Sequence, residues 1–227
     1  MAGTQREQQV QVKTVPMFIF DFDGVIADTL SLYQQVCQQA ATARGYQAQL
    51  ASNPFATLDP VTFEALGETL GIDGHQYAKD VAIRMTASTQ IPALFPQAKE
   101  VLEQLSREMP LVVLSASHTE VLNRILSHHG IAHCFTSVIG GDKPGSKADK
   151  LVAIKAQHNC FMVMVGDGVS DIDAAKAAGI PSVAVNWGWQ SADILQQRKP
   201  NYQIQTPEQL LPIAAEFLQF AQQGKRA

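Results

Sequence analysis

The sequence predicts an α/β protein: a doubly wound, parallel sheet with helices on both faces and a small helical insertion. Three observations point there. Short apolar runs of four or five residues recur along the chain, the pattern of strands buried on both faces. Segments of helical period lie between most of them, and such alternation implies a parallel sheet covered on both sides. One stretch, residues 28 to about 95, breaks the alternation and carries no convincing strand.

Met17–Phe20 is the first apolar run and ends at Asp21. In the stretch that follows, Leu30, Tyr33, Val36, Cys37, Ala40 and Ala41 recur at helical spacing. Pro54, Pro60, Gly71 and Gly74 divide the next part into short pieces, and Val81, Ala82 and Met85 suit one more helix. Residues 28–95 are therefore read as a helical cap and a lid, inserted into a core made of residues 1–27 and 96–227. Asp28 and Thr29 form the hinge.

Lys99–Glu108 places Val101, Leu102 and Leu105 on one helical face. Leu111–Leu114 is the second strand and ends at Ser115. Ser117-His-Thr-Glu120 reads as a capping box opening a helix that runs to about His129 and stops at Gly130. Phe135–Ile139 is a weaker third strand, followed by a helix over Lys147–Gln157. Phe161–Val165 is the fourth strand and ends at Gly166-Asp167, before a helix over Asp171–Ala178. Pro181–Val185 is the fifth, and Tyr202–Ile204 a short edge strand. Thr206-Pro-Glu-Gln209 opens the last helix with a cap, a first-turn proline and a capping-box glutamine.

The chain has 227 residues, 46% of them hydrophobic, which suits one domain or a core with a modest insertion and excludes broad disorder. With 17 basic against 21 acidic residues the net charge is −4, so no basic excess favours nucleic acid or an anionic membrane. Cys37, Cys134 and Cys160 form no Cys-x-x-Cys pair, which argues against a disulfide framework or a cysteine-based zinc site and fits a reducing compartment. The polar, Gln-rich N-terminus lacks a stretch of signal-peptide length, and the apolar runs are too short to span a bilayer. The expectation is a cytoplasmic protein with a frayed polar leader.

Ligands of open parallel sheets bind beyond the carboxyl ends of the strands. The residues there are Asp21 and Asp23, Ser115, and Asp167 and Asp171, with Lys147 opening a helix between the third and fourth strands. Any one such aspartate is usually a turn or capping residue; the set in order is not. Clustered oxygen ligands suit Mg²⁺. A cation of that kind lets a carboxylate approach a phosphate dianion and attack phosphorus. Ser115 and Lys147 suit the non-reacting phosphoryl oxygens, and a second carboxylate suits proton transfer.

These residues also carry a resemblance. Phe20-Asp-Phe-Asp-Gly-Val-Ile-Ala-Asp-Thr29 resembles the first motif of the haloacid dehalogenase superfamily in its phosphatase branch. Leu114-Ser-Ala-Ser117 resembles the second, Lys147 in Gly-Ser-Lys-Ala-Asp the third, and Val165-Gly-Asp-Gly-Val-Ser-Asp171 the acidic fourth. The insertion, and Trp187-Gly-Trp189 after the fifth strand, resemble the phosphoglycolate phosphatase and β-phosphoglucomutase group.

The resemblance implies Asp21 as nucleophile and Mg²⁺ ligand, and Asp23 as acid/base with its carbonyl on the metal. It implies Asp167 as a further ligand and Asp171 as the supporting acid. Ser115, Ala116, Lys147 and the amides of the turn after Asp21 would bind phosphate, with Lys143 and Lys150 as competing lysines. Asp23 separates this branch from the dehalogenases and favours phosphoryl transfer involving an oxygen leaving group.

Other features have plainer readings. His128 and His129 end a helix, and with His133 and Cys134 they are read as structural, not as a zinc site. His118 is read as a surface or capping residue, and Asp173 as a helix-face residue. Trp187 and Trp189 line the pocket mouth or cover the sheet edge. The cap's basic residues are Arg44, Lys79 and Arg84, against six acidic ones, so it offers little to polyanions. A base among them that faced inward could pair with a substrate carboxylate such as that of phosphoglycolate, and the sequence does not say which of them, if any, does.

The expected function is Mg²⁺-dependent hydrolysis of a small phosphorylated metabolite through an aspartyl-phosphate. The alternatives are a β-phosphoglucomutase-type mutase, which yields an isomeric sugar phosphate instead of inorganic phosphate, and a non-catalytic binding protein on the same fold.

Overall fold

A computed structural model describes residues 15–223. The polar N-terminal leader read from the sequence lies outside the described residues. Six parallel strands form one sheet: β1 (Met17–Phe20), β2 (Leu111–Leu114), β3 (Phe135–Ile139), β4 (Met162–Gly166), β5 (Ser182–Val185) and β6 (Tyr202–Ile204), in spatial order β3-β2-β1-β4-β5-β6. The chain winds outward from β1 in both directions, so β1, β2 and β4 are central.

Burial explains why some strands were easier to read than others. Every residue of β1, β2, β4 and β5 is buried, whereas edge strand β3 exposes Thr136 and Ser137 and β6 is only half-buried at Tyr202 and Gln203. Alternate side chains serve two cores. Phe18, Phe20, Leu111, Val113, Val163 and Val165 pack with α4 (Ala98–Ser106), α5 (Thr119–His128) and α9 (Leu210–Gln223). Met17, Ile19, Val112, Leu114, Met162 and Met164 pack on the other face with α6 (Lys147–Gln157) and α7 (Val169–Ala178). The short helix α8 (Ala192–Gln197) precedes β6.

Of the four helices between β1 and β2, three precede α4 and make up the inserted segment: α1 (Leu30–Ala43), α2 (Phe63–Thr69) and α3 (Gly74–Ala87). The chain leaves and rejoins the core at one spot. Ala27 bridges Leu94, the Asp28 amide donates to the Ala93 carbonyl at 2.9 Å, and the Phe95 amide donates to the Ile26 carbonyl at 3.1 Å. Further bonds fasten this segment to the core. The Arg124 guanidinium donates to the carbonyls of Met85 and Thr86 at the end of α3, at 3.4 and 3.2 Å. Asn53 Nδ2 donates to the Trp189 carbonyl at 2.6 Å, Gln190 Nε2 to the Leu58 carbonyl at 2.9 Å, and the Val61 amide to Ser170 Oγ at 3.3 Å.

Two helix starts differ from the sequence reading. Ser117 does not cap α5; His118 does, its Nδ1 accepting from the Glu120 amide at 3.4 Å. The Ser117 hydroxyl is drawn instead to the buried Asp23 carboxylate, a stronger acceptor than a solvated cap offers. Helix α7 begins at Val169, two residues before Asp171. From the third helical position the Asp171 carboxylate reaches back to accept from the Gly168 amide at 3.0 Å. The Ser146–Asp149 capping box before α6 is complete, and it fixes the helix end that carries Lys147.

Candidate active site

Strand register determines the site. Phe20 is paired with Val113 on one side and Val165 on the other. The next residues of three central strands therefore emerge at one edge: Asp21 after β1, Ser115 after β2 and Asp167 after β4. The Ser146 cap aims the first residue of α6 at the same edge. Lys147 Nζ donates to Asp21 Oδ2 at 2.9 Å and also to Asp171 Oδ1.

Asp21, Asp167 and Asp171 each offer a carboxylate oxygen to a group spanning no more than 4.8 Å, the only such His, Cys, Asp or Glu cluster of three or more among the described residues. Asp21 Oδ1 accepts from the Phe22 amide at 2.7 Å, and Asp167 Oδ2 from the Trp189 amide at 2.7 Å. Asp167 fits because its neighbours lack side chains. A Cβ on Gly24, which has φ +77°, would lie 2.0 Å from Asp167 Oδ2, and one on Gly188 would lie 2.2 Å from Asp167 Cβ.

Burial dominates the electrostatics. It raises the carboxyls of Asp21 and Asp167, and Asp171 to about 6, against the pull of the Lys147 ammonium. Repulsion between carboxylates adds to the rise: Asp23 acts on Asp21, Asp21 and Asp171 on Asp167, and Asp21 on Asp171. Burial alone would make Lys147 give up its proton more easily; Asp171 and Asp21 reverse that and hold the ammonium firmly charged. A divalent cation among the three aspartates would reverse the direction for them as well.

Asp23 sits apart from this cluster. Burial raises its carboxyl too, offset in part by bonds from Ser117 and Ser115. Ser117 Oγ donates to Asp23 Oδ2 at 2.5 Å and Ser115 Oγ to the same oxygen at 3.2 Å. Tyr33, on α1, hydrogen-bonds Ser117 Oγ in turn. Neither Ser117 nor Tyr33 was read as a site residue. The signal for Ser117 was its place two residues past Ser115 at the strand end. Tyr33 carried none beyond its helical spacing.

All seven sequence-proposed residues, Asp21, Asp23, Ser115, Ala116, Lys147, Asp167 and Asp171, line one cavity of about 600 Å³. Lys150 lines it as well, but its ammonium donates to the Gly140 carbonyl at 3.0 Å. Lys143 pairs with Asp142 at 3.3 Å, its side chain over half exposed. Trp189 lines the cavity, while the Trp187 indole N–H donates to the Val25 carbonyl at 3.1 Å. From the inserted segment come Phe55, Val61, Thr62, Phe63 and Glu64. Arg44, Lys79 and Arg84 are absent from the lining: Arg44 pairs with Asp80 at 2.6 Å, Lys79 is exposed, and Arg84 borders a separate hollow beside α1. Whether any of these bases faces the cavity was open in the sequence, and none of the three lines it. The His128–Cys134 region is structural, with His129 Nε2 2.8 Å from the Pro92 carbonyl. Asp173 Oδ2 accepts from Arg198 Nε at 3.1 Å. No helix among the described residues is long and apolar enough to cross a membrane.

Comparison with known proteins places these features in context. Residues 18–185 match the haloacid dehalogenase-like hydrolase family. The chain is 28% identical over 207 residues to a phosphoglycolate phosphatase of Synechococcus elongatus, covering 88% of this chain and 97% of that protein. It is 30% identical over 206 residues to a phosphoglycolate phosphatase of Aliivibrio fischeri, covering 82% and 91%. Among solved structures, a haloacid dehalogenase-like hydrolase of Streptococcus pneumoniae shares the fold with a TM-score of 0.72 at 22% identity, covering 88% of this chain and 98% of that one.

Proposed function

The chain belongs to the haloacid dehalogenase-like hydrolases, and on that premise we propose that it is a Mg²⁺-dependent phosphatase that hydrolyses a small phosphomonoester through an aspartyl-phosphate on Asp21. The observation that carries the proposal is the approach of Asp21, Asp167 and Asp171 within 4.8 Å at the strand ends, with Lys147 bonded to two of them.

The donor set fits a hard divalent cation. Three carboxylates share one buried site with a single ammonium, and only oxygen ligands are offered. Asp21, Asp167 and the Asp23 carbonyl would hold Mg²⁺, with Asp171 supporting them. Bound there, Mg²⁺ neutralises carboxylate and phosphate charge and so permits their approach.

This chain's own residues account for the remaining steps. The Phe22 amide and Lys147 fix the rotamer of Asp21, leaving a carboxylate oxygen to attack phosphorus. Ser115 and Lys147, which line the same cavity, would bind the non-reacting phosphoryl oxygens. Asp23, its carboxyl raised by burial, holds the proton that the leaving oxygen needs. The same group, deprotonated, then takes a proton from the water that attacks the acyl-phosphate. That step frees Asp21 and releases inorganic phosphate. Phe55 and Phe63 of the insertion help to wall off the cavity, which limits access by bulk water.

The test is phosphate release from a panel of small phosphomonoesters with Mg²⁺, repeated with Asp21→Asn. Mg²⁺-dependent release that the substitution abolishes supports the reading; no release across the panel refutes it.

A further inference from the structure

One wall of the cavity is built from rings. The Phe55 and Trp189 rings stack with centroids 4.5 Å apart and planes at 24°. Phe63 meets Phe55 edge-on at 5.9 Å and stacks on Tyr33 at 5.2 Å. Phe55 and Trp189 are buried, Phe63 and Val61 are half-buried, and all four line the cavity. The one charged group the insertion adds is Glu64, which forms no ion pair among the described residues.

The charge balance points the same way. Lys147 is committed to Asp21 and Asp171, and the Lys150 ammonium to the Gly140 carbonyl. A second anionic group on a substrate would meet Glu64 and no free cation on the insertion's side. A flat apolar group would meet Phe63 and Val61 and leave water on binding.

Building on the phosphatase reading, we propose that this cavity selects a phosphomonoester whose alcohol portion carries a planar apolar group and no second negative charge. In the reaction the phosphorus–oxygen bond to that alcohol breaks. The alcohol leaves with a proton, and the oxygen of water ends on phosphate.

The test compares three alkyl esters of similar leaving-group reactivity: 2-phenylethyl phosphate, ethyl phosphate and phosphoglycolate. We expect kcat/KM for the phenylethyl ester to exceed that for ethyl phosphate by about tenfold or more, a step typical of burying one aromatic ring, with phosphoglycolate below both. Phe63→Ala should bring the phenylethyl-to-ethyl ratio toward one. Phosphoglycolate as the best of the three overturns the inference and leaves the phosphatase reading standing. Calorimetry with the inert 3-phenylpropylphosphonate and propylphosphonate, in the presence of Mg²⁺, reads the same preference without turnover. Tighter binding of the aromatic phosphonate with no phosphate released from any ester would support the pocket's selectivity and refute the phosphatase reading. Equal binding of the two phosphonates overturns the selectivity itself.

Discussion

Lys147 Nζ lies 2.9 Å from Asp21 Oδ2, a contact between residues 126 positions apart in the chain. The same ammonium bonds Asp171, so one cation ties the proposed nucleophile to the acidic residue that caps α7. Lys147→Ala should lower kcat/KM by about 10²–10³, as loss of a preorganised charge-stabilising donor does. Lys143→Ala and Lys150→Ala should each lower it less than about tenfold, because their ammonium groups face Asp142 and the Gly140 carbonyl instead. Steady-state kinetics of the three variants side by side checks the assignment, and a crippled Lys143→Ala would reverse it.

Asp21→Asn should abolish turnover, by about 10³–10⁶ in rate, while leaving the fold intact. The two assays needed are phosphate release and circular dichroism. Retention of more than a few per cent of activity counts against Asp21 as nucleophile.

Asp23→Asn should still permit attack on an ester with a good leaving group but stall afterwards, so that phosphorylated protein accumulates and is seen by intact-protein mass spectrometry. Ser117→Ala has a different signature. The Ser117 bond lowers the Asp23 pKa, so its removal should raise that pKa further and shift the alkaline limb of the phosphorylation step to higher pH. An unmoved limb would mean that Ser117 does not act through Asp23.

Metal binding at the proposed site would be linked to pH with a definite sign. Asp21, Asp167 and Asp171 have carboxyls raised in the folded protein, Asp171 from 3.8 to about 6. Groups raised in this way stabilise the metal-free fold when protonated, and for Asp171 that contribution is lost as pH rises through the window from about 4 to about 6. A cation takes the ionised form and stabilises the fold by binding it alone. The rise in Tm on adding Mg²⁺ should therefore be larger at pH 7.5 than at pH 5. A rise of equal size at both values, measured by thermal scans, would falsify the linkage.

The central strands were legible because burial on both faces leaves continuous apolar runs, as in Met17–Phe20 and Leu111–Leu114. The positions past their ends followed from parallel topology, which is why Asp21, Ser115 and Asp167 could be read together. The Ser117 cap was misread because its competitor, the Asp23 carboxylate, lies 94 residues away in sequence. The ring cluster was illegible for the same reason: Phe55 and Trp189 stack across elements that no local periodicity connects. Likewise nothing in the composition of the insertion told which of its bases face inward, and none of Arg44, Lys79 and Arg84 lines the cavity.

The closed junction at Ala27 and Leu94 has an evolutionary and practical consequence. The two ends of the excursion already touch, so the path from β1 to α4 closes at its base whatever the length of chain between them, and the bonds from Arg124, Asn53, Gln190 and Val61 hold its contents to the core. Loop-closure entropy changes slowly with length, about 0.6 kcal/mol for each doubling. Those ends mark where a replacement segment would be joined, provided it supplied the same bonds to Trp189, Gln190 and Ser170. Such a segment, spliced at Asp28 and Ala93, would meet the same Asp21 and Lys147, so that new preferences in the leaving group can be drafted without rewriting the reaction.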